Sequence, residues 1–322
     1  MALIFSTHRL HPTVTARLEA AGDYLVASAP TPEAILAEGT GAEVIVVRAP
    51  VPAEYFARAR RLRAAVRHGA GLDMVPMEVA TAAGVLVANV PGANASTVAE
   101  FAIFAAIALR RRFRIVDGQL RANGWTVARD LVDTNRELAG AVLGILGFGN
   151  IGRSLAGLGR AFGMRVIATT RRPETLPPEI EGVALDDLMA RADVVVVCCP
   201  LTGETRGIID SRRLAAMKPG AALVNVARGP IIDQAAAVAE LRTGRISAAL
   251  DVFETQPLPS DDPLFALPNV ILTPHMSGVT EESMLRMGDG AADEVIRVLG
   301  NHLPVNFRNP EVEALYRTRF PV

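Results

Sequence analysis

Short runs of β-branched and aliphatic residues recur along the chain between longer alanine- and leucine-rich stretches whose apolar positions repeat at helical spacing. This alternation predicts parallel strands covered by helices: strands buried on both faces are apolar throughout, whereas covering helices are apolar on one side only. The predicted strands are ALIFS, AEVIVV, LRAAVRH, VLVANV, AVLGILG, RVIATT, DVVVVCC, AALVNVA, SAALDV and NVILTP. That is too many for one open sheet of ordinary size. A long helical pattern from Ala95 to about Asn123 separates four of these strands from the other six and is expected to bridge two domains. A second helical stretch, from Glu281 to about Gly300, leads to a tail with Pro304 and Pro310 that is expected to return to the first domain. Residues 31–32 and 257–263 read as loops, and no internal repeat or low-complexity segment stands out.

Composition sharpens this picture. A chain of 322 residues exceeds one hydrophobic core, so two domains are expected. Half the residues are hydrophobic and 21% are charged, enough for a sizeable interior. The balance of 33 basic against 34 acidic residues gives no field to hold nucleic acid or anionic lipid. The local run Arg110, Arg111, Arg112 and Arg114 reads as a solvated helix face or a subunit contact. Met1 to Phe5 is too short for a signal peptide, and Val98 to Leu109 falls short of a membrane span, so a cytoplasmic protein is expected. Cys198 and Cys199 are neighbours after a valine run, where a mutual disulfide would be strained and a metal would lack partners. Both are expected to be reduced and packed, and no metal site is expected.

The stretch LGILGFGNIG places Gly147, Gly149 and Gly152 in a G-x-G-x-x-G pattern directly after an apolar strand and before a helical run. The first glycine permits a tight turn, the second lets backbone approach a pyrophosphate, and the third lets helix pack on strand. Amides of Phe148, Asn150 and Ile151 then belong to a diphosphate site at the positive end of the helix. In such a fold the residue ending the next strand meets the adenosine ribose, where an acid accepts from both hydroxyls of NAD. Here that position holds Thr170, 23 residues after Gly147, followed by Arg171 and Arg172. A 2′-phosphate would repel an acid and pair with guanidinium, so NADP(H) is the expected cofactor, with NAD(H) possible.

Arg228, Glu254 and His275 each follow a predicted strand. The carboxyl ends of parallel strands line the ligand crevice, so these three are expected to converge. Their chemistry suits hydride transfer to a 2-keto acid. Arg228 holds the carboxylate and polarises the keto oxygen, His275 donates the proton, and Glu254 accepts from the other ring nitrogen and favours the imidazolium.

In these contexts the chain resembles the D-isomer-specific 2-hydroxyacid dehydrogenases over most of its length. The blocks are RHGAGLDMVPMEVATAAGVLVANVPGANASTVAEFA, LGFGNIG, CCPLTGETRGII, MKPGAALVNVARGPIID, AALDVFETQPLP and LTPHMSG. The resemblance implies an α/β chain of two doubly wound parallel-sheet domains with a cleft between. One is a flavodoxin-like substrate domain, residues 1–98 plus 290–322; the other is a Rossmann cofactor domain, residues 99–289. It also implies a homodimer built largely on the cofactor domain, and it matches Arg228, Glu254 and His275 to the family's catalytic arginine, glutamate and histidine. Backbone amides of Ala70 and Gly71 are then expected to grip the substrate carboxylate. Thr97, Cys199, Pro200, Thr205, Ala227, Asp251 and Gly278 fall where the family touches its cofactor. Asp251 either accepts from the nicotinamide carboxamide or caps a loop.

With no aspartate at Thr170, the chain looks most like the NADPH-using glyoxylate and hydroxypyruvate reductases. It stops soon after the returning tail, without the added regulatory domain of some phosphoglycerate dehydrogenases, which makes phosphoglycerate the less favoured substrate. Two alternatives stand beside this reading: an NAD-dependent D-2-hydroxyacid dehydrogenase, and a non-catalytic NAD(P)-sensing scaffold like the corepressors of this fold. Arg48, His68, Met276 and the loop near Trp125 are expected to shape the substrate pocket.

Overall fold

In the computed structural model, which describes residues 1–321, the chain divides into two compact units. The first comprises Met1–Asn94 and the chain from Val279 onward; the second is Ala95–Gly278. Both are α/β with wholly parallel sheets.

The first unit is built on β1 (Leu3–Ser6), β2 (Asp23–Val26), β3 (Val44–Val47), β4 (Ala64–Arg67) and β5 (Leu86–Ala88), in the order β2-β1-β3-β4-β5. That is the flavodoxin-like order. All four residues of β3 are buried, as a strand covered on both faces requires. β2 has no counterpart among the predicted strands: its DYLV alternates exposed and half-buried positions at the sheet edge, and so lacks the apolar run that marks the inner strands.

The helix Glu281–Leu299 belongs wholly to this unit. It buries Met287, Ala291, Val295 and Val298 and packs on the helix Pro12–Ala21 and on β3 and β4. Thr280 and Ser283 close a reciprocal capping box at its start. The unit boundary therefore falls just ahead of this helix, whereas a boundary at 289/290 would cut through it. The remaining tail is tied down by side chains. Glu294, 3% exposed, accepts from the amides of Val305 and Asn306. Asn309 accepts from the Val87 amide at 2.8 Å and donates to Thr81 Oγ1 and the Val85 carbonyl, occupying the free edge of β5.

The second unit holds β6 (Val142–Leu146), β7 (Arg165–Thr169), β8 (Glu181–Gly182), β9 (Val194–Val197), β10 (Ala222–Asn225), β11 (Ser247–Leu250) and β12 (Val270–Leu272). Their order, β12-β11-β10-β9-β6-β7-β8, is the Rossmann order with one strand added at the β12 edge. β8 is two exposed residues, too short for a pattern to announce. The strand order reverses between β6 and β9, so the carboxyl ends of those two strands frame the ligand-binding crevice typical of doubly wound sheets.

The long helical pattern resolves into two helices. Ala95–Arg110 buries ten of its residues against the helix Asn150–Ala161 and the sheet. The chain then turns through Arg112, whose φ of 51° is left-handed, and resumes as Phe113–Arg129 with a non-helical Gly124 near its end. The Arg112 guanidinium holds that turn by donating to the Leu131 carbonyl and Thr134 Oγ1. Among the described residues no helix is long and apolar enough to cross a membrane.

Asn309→Ala should destabilise the first unit by about 1 to 3 kcal/mol for each buried group left unpaired, read as a lower urea midpoint. An unchanged midpoint would show that the tail does not close the β5 edge.

Candidate active site

The turn after β6 assigns a distinct task to each of its glycines. Gly147 has a φ of 102°, and a Cβ there would lie 2.6 Å from the Cys199 backbone nitrogen. A Cβ on Gly152 would lie 2.3 Å from the Gly147 carbonyl oxygen, so helix and strand meet there without room for a side chain. Around Gly149 the space is open, and no side chain caps the helix Asn150–Ala161 that it begins. The first-turn amides of Asn150 and Ile151, which have no intrahelical acceptor, are therefore suited to the pyrophosphate of a dinucleotide. Phe148 contributes backbone only: its ring is 4% exposed, packs in the core, and lies 5.8 Å beneath the Arg153 guanidinium.

The end of β7 adjoins this turn, because the Gly147 amide donates to the Thr169 carbonyl at 2.9 Å. Thr170 is half-buried and accepts from the Arg172 amide; Arg171 and Arg172 are exposed. Across the turn, burial pushes the Cys199 thiol up to about 11, with the Arg171 guanidinium pulling the other way. Burial raises the Cys198 thiol as well, and its Sγ lies 3.0 Å from the Gly147 carbonyl. Neither thiol is poised as a thiolate, and both are free of disulfide. Pro200 and Thr205 form one closed loop, in which the Thr205 hydroxyl donates to the Pro200 carbonyl at 2.7 Å. Thr97 is buried in the first turn of Ala95–Arg110.

The loops after β10, β11 and β12 form a chain of contacts. Asn225, 1% exposed at the end of β10, accepts from the Ala227 amide and donates to the Arg228 carbonyl, fixing the backbone that carries the half-buried Arg228. The Arg228 guanidinium in turn donates to the Ala227 carbonyl at 2.6 Å. At Gly229 a Cβ would stand 1.9 Å from the Phe253 carbonyl carbon, so the loop of Arg228 and the loop of Glu254 run backbone against backbone. Gln234 adds a clamp by accepting from the Glu254 amide.

Asp251 is fully buried at the end of β11, and it caps a loop. Its carboxylate accepts from Thr273 Oγ1 at 2.7 Å, the Met276 amide at 2.7 Å and the Ser277 amide at 2.9 Å, while its carbonyl accepts from the His275 amide at 2.9 Å. This grip holds His275 in a left-handed conformation, with a φ of 57°. Met276 is exposed and Gly278, half-buried, ends the turn.

The ring of His275 meets a different side chain from the one the strand-end pattern assigns. Its Nδ1 lies 3.3 Å from Oε1 of Gln256, two residues beyond Glu254, and His275, Gln256 and Glu254 are all exposed. Spacing along a loop does not tell which of two nearby polar side chains turns toward a neighbouring loop.

In the first unit, Ala70 and Gly71 follow β4 in a turn that begins at Gly69, where φ is 128°. Asn89 anchors it by donating to the Ala70 carbonyl at 2.6 Å. Arg48 and Arg67, at the ends of β3 and β4, and the buried His68 stand beside it in the sequence of strand ends. Arg48 donates to the Arg9 carbonyl, and Arg67 to the Val47 and His68 carbonyls. Burial, with repulsion from Arg48 and Arg67, pushes His68 down to about 3, so it is neutral near pH 7. Asn89 and Asn225 escape sequence reasoning; the only signal is a polar residue closing an apolar strand. A cavity of about 490 Å³ lies elsewhere, at the amino ends of β10 to β12, lined by six arginines, among them Arg110 and Arg245, together with polar and apolar residues. It is remote from the chemistry. No group of three or more histidine, cysteine, aspartate or glutamate side chains among the described residues is arranged to hold a metal.

Comparison with known proteins gives this arrangement a family. Residues 103–277 match the family model of the D-isomer specific 2-hydroxyacid dehydrogenase, NAD binding domain. A glyoxylate reductase of Korarchaeum cryptofilum is 37% identical over 268 residues, covering 82% of this chain and 81% of that one. A D-3-phosphoglycerate dehydrogenase of Mycobacterium leprae is 39% identical over 279 residues, covering 84% of this chain and 52% of that one, so the chain spans about half the length of this relative. Among solved structures, an NADPH-dependent glyoxylate/hydroxypyruvate reductase from Sinorhizobium meliloti, in complex with NADP and malonate, superposes with a TM-score of 0.83 at 25% identity, covering 95% of this chain and 96% of that one. The dinucleotide turn, the strand-end residues and these relatives together establish that the chain belongs to the D-isomer specific 2-hydroxyacid dehydrogenases.

Proposed function

We propose that the chain is an NADPH-dependent reductase of small 2-keto acids, with glyoxylate or hydroxypyruvate as the favoured substrates, working in the cytoplasm as a homodimer. The supporting observation is that the loops following β10, β11 and β12 touch one another and carry Arg228 and His275 to the same edge of a sheet whose first loop is a dinucleotide turn. The amides of the Gly147–Gly152 turn suit the pyrophosphate, and Thr170, Arg171 and Arg172 suit a 2′-phosphate better than a bare ribose. When bound, the nicotinamide cofactor supplies the hydride.

The residues of the chain do the rest. Arg228 holds the substrate carboxylate and draws charge from the keto oxygen. His275, as imidazolium, delivers a proton to that oxygen when the carbonyl carbon is reduced, and as neutral imidazole takes it back in the reverse direction. Asp251 holds the turn that aims the ring. In the first unit, the amides of the Ala70–Gly71 turn suit a carboxylate. Homodimerisation is supported by an apolar surface on Ala95–Arg110 and Phe113–Arg129, where Phe104, Phe113 and Trp125 are 55%, 61% and 75% exposed.

One observation favours a second reading. Arg48 and Arg67 close β3 and β4 beside the Ala70 turn. Two guanidiniums there suit an acid with a second anionic group, such as a phosphorylated hydroxy acid.

Comparing kcat/KM for NADPH and NADH tests the cofactor assignment. NADPH should be preferred at least tenfold, and Arg171→Ala with Arg172→Ala should erase most of that preference, each charge-assisted bond contributing about 1.5 to 3 kcal/mol. Equal values for the two cofactors in the parent protein would refute it.

His275→Ala should lower kcat for keto-acid reduction by roughly 10² to 10⁴-fold, the usual range for a lost general acid. Asp251→Ala should also lower kcat, and should destabilise the protein by about 1 to 3 kcal/mol for each buried amide left unpaired. Turnover of no 2-keto acid with either cofactor would favour the dinucleotide-sensing scaffold.

A further inference from the structure

The turn that bears His275 is fixed from beneath by Asp251, whose carboxylate is committed to Thr273, Met276 and Ser277. That grip sets the backbone of the turn. The ring then meets Gln256, with Nδ1 and Oε1 3.3 Å apart. We infer that Gln256 is the positioning residue of His275, and that it orients the ring without contributing a negative charge. This rests on His275 being the proton carrier of the proposed reaction.

The chemistry of the partner matters more than its reach. A carboxylate would accept from Nδ1–H and also stabilise the imidazolium, raising the pH at which the ring gives up its proton. An amide has both an acceptor oxygen and a donor nitrogen. Because Nδ1 faces the amide, the proton that is transferred sits on Nε2, and Nδ1–H donates to Oε1 in the imidazolium and in the neutral ring alike. The ring is thus held in either protonation state by a neutral acceptor.

Charged groups also follow the neighbouring strands. Asp251 lies beneath the turn, with its carboxylate already accepting three hydrogen bonds. Arg228 follows β10, and Glu254 precedes Gln256 on the loop after β11. With no charge at Gln256, this contact orients the ring without adding a negative charge that would favour the imidazolium.

Two measurements test this, and they separate it from the proposed function. In the first, the His275 imidazole is titrated by NMR, its signal assigned through His275→Asn. Gln256→Glu should move the titration up by about one pH unit; Glu254→Gln should not move it. In the second, the pH profile of kcat/KM for glyoxylate reduction is compared. Reduction needs the imidazolium, so activity falls as pH rises through the pKa of the ring, and Gln256→Glu should carry that fall to higher pH by the same interval. Gln256→Ala should lower kcat with KM little changed, and Gln256→Asn should not restore it, because the shorter side chain cannot reach. An unmoved titration in Gln256→Glu, or an equal displacement in Glu254→Gln, would overturn the pairing. Turnover failing in the parent protein would count against His275 as proton carrier, while the NMR titration would still decide the pairing.

Discussion

The turn that carries His275 hangs on one buried carboxylate. A charge sealed from water is costly unless hydrogen bonds replace those it loses, and Asp251 replaces them with a hydroxyl and two backbone amides from a single turn. The need runs both ways: the carboxylate requires those donors, and the turn requires the carboxylate to keep its amides paired. The result is a His275 backbone held in a left-handed conformation that costs roughly 1 to 2 kcal/mol and that a non-glycine residue adopts only under constraint. From there the constraint spreads through Gln256 to the loop after β11, and through the bare backbone of Gly229 to the loop of Arg228.

The dinucleotide turn works by the opposite device, the removal of side chains. At Gly147 and Gly152 backbone fills the space a Cβ would need, and at Gly149 the space is left clear. The sheet order puts this turn at the point where strand succession reverses, beside the residues following β9. The two devices stand on one sheet, one presenting bare amides and the other holding the turn of His275.

The sequence disclosed those parts of the fold whose physics is local. The valine runs of β3 and β9, the glycine spacing after β6 and the helix beginning at Glu281 each carry their signal within a few residues. The edge strands β2 and β8 did not show, because β2 is half-solvated and β8 is two exposed residues, so both lack the apolar run that made the edges β5 and β12 legible. The interruption at Arg112 was hidden in a helix-favouring stretch, since a non-glycine left-handed residue is stabilised by the distant Leu131 and Thr134. In the site, Arg228 and His275 were legible as polar residues closing strands. The partner of the ring was not: Glu254 and Gln256 share a loop, and which of them meets His275 depends on how that loop lies against the next one. Asn225 and Asn89 were invisible for the same reason, since their work is to hold another residue's backbone.

The two units differ in how their pieces are spread along the chain. The second is contiguous, whereas the first needs the helix Glu281–Leu299 on its sheet and Asn309 on the edge of β5. During synthesis, five strands emerge from the ribosome long before the helix that covers them, and the whole of the second unit is available to fold in the interval. Until residues 281–299 are made, the face of the nascent first sheet that they cover therefore carries only the helix Pro12–Ala21, leaving part of its apolar surface open in the interval.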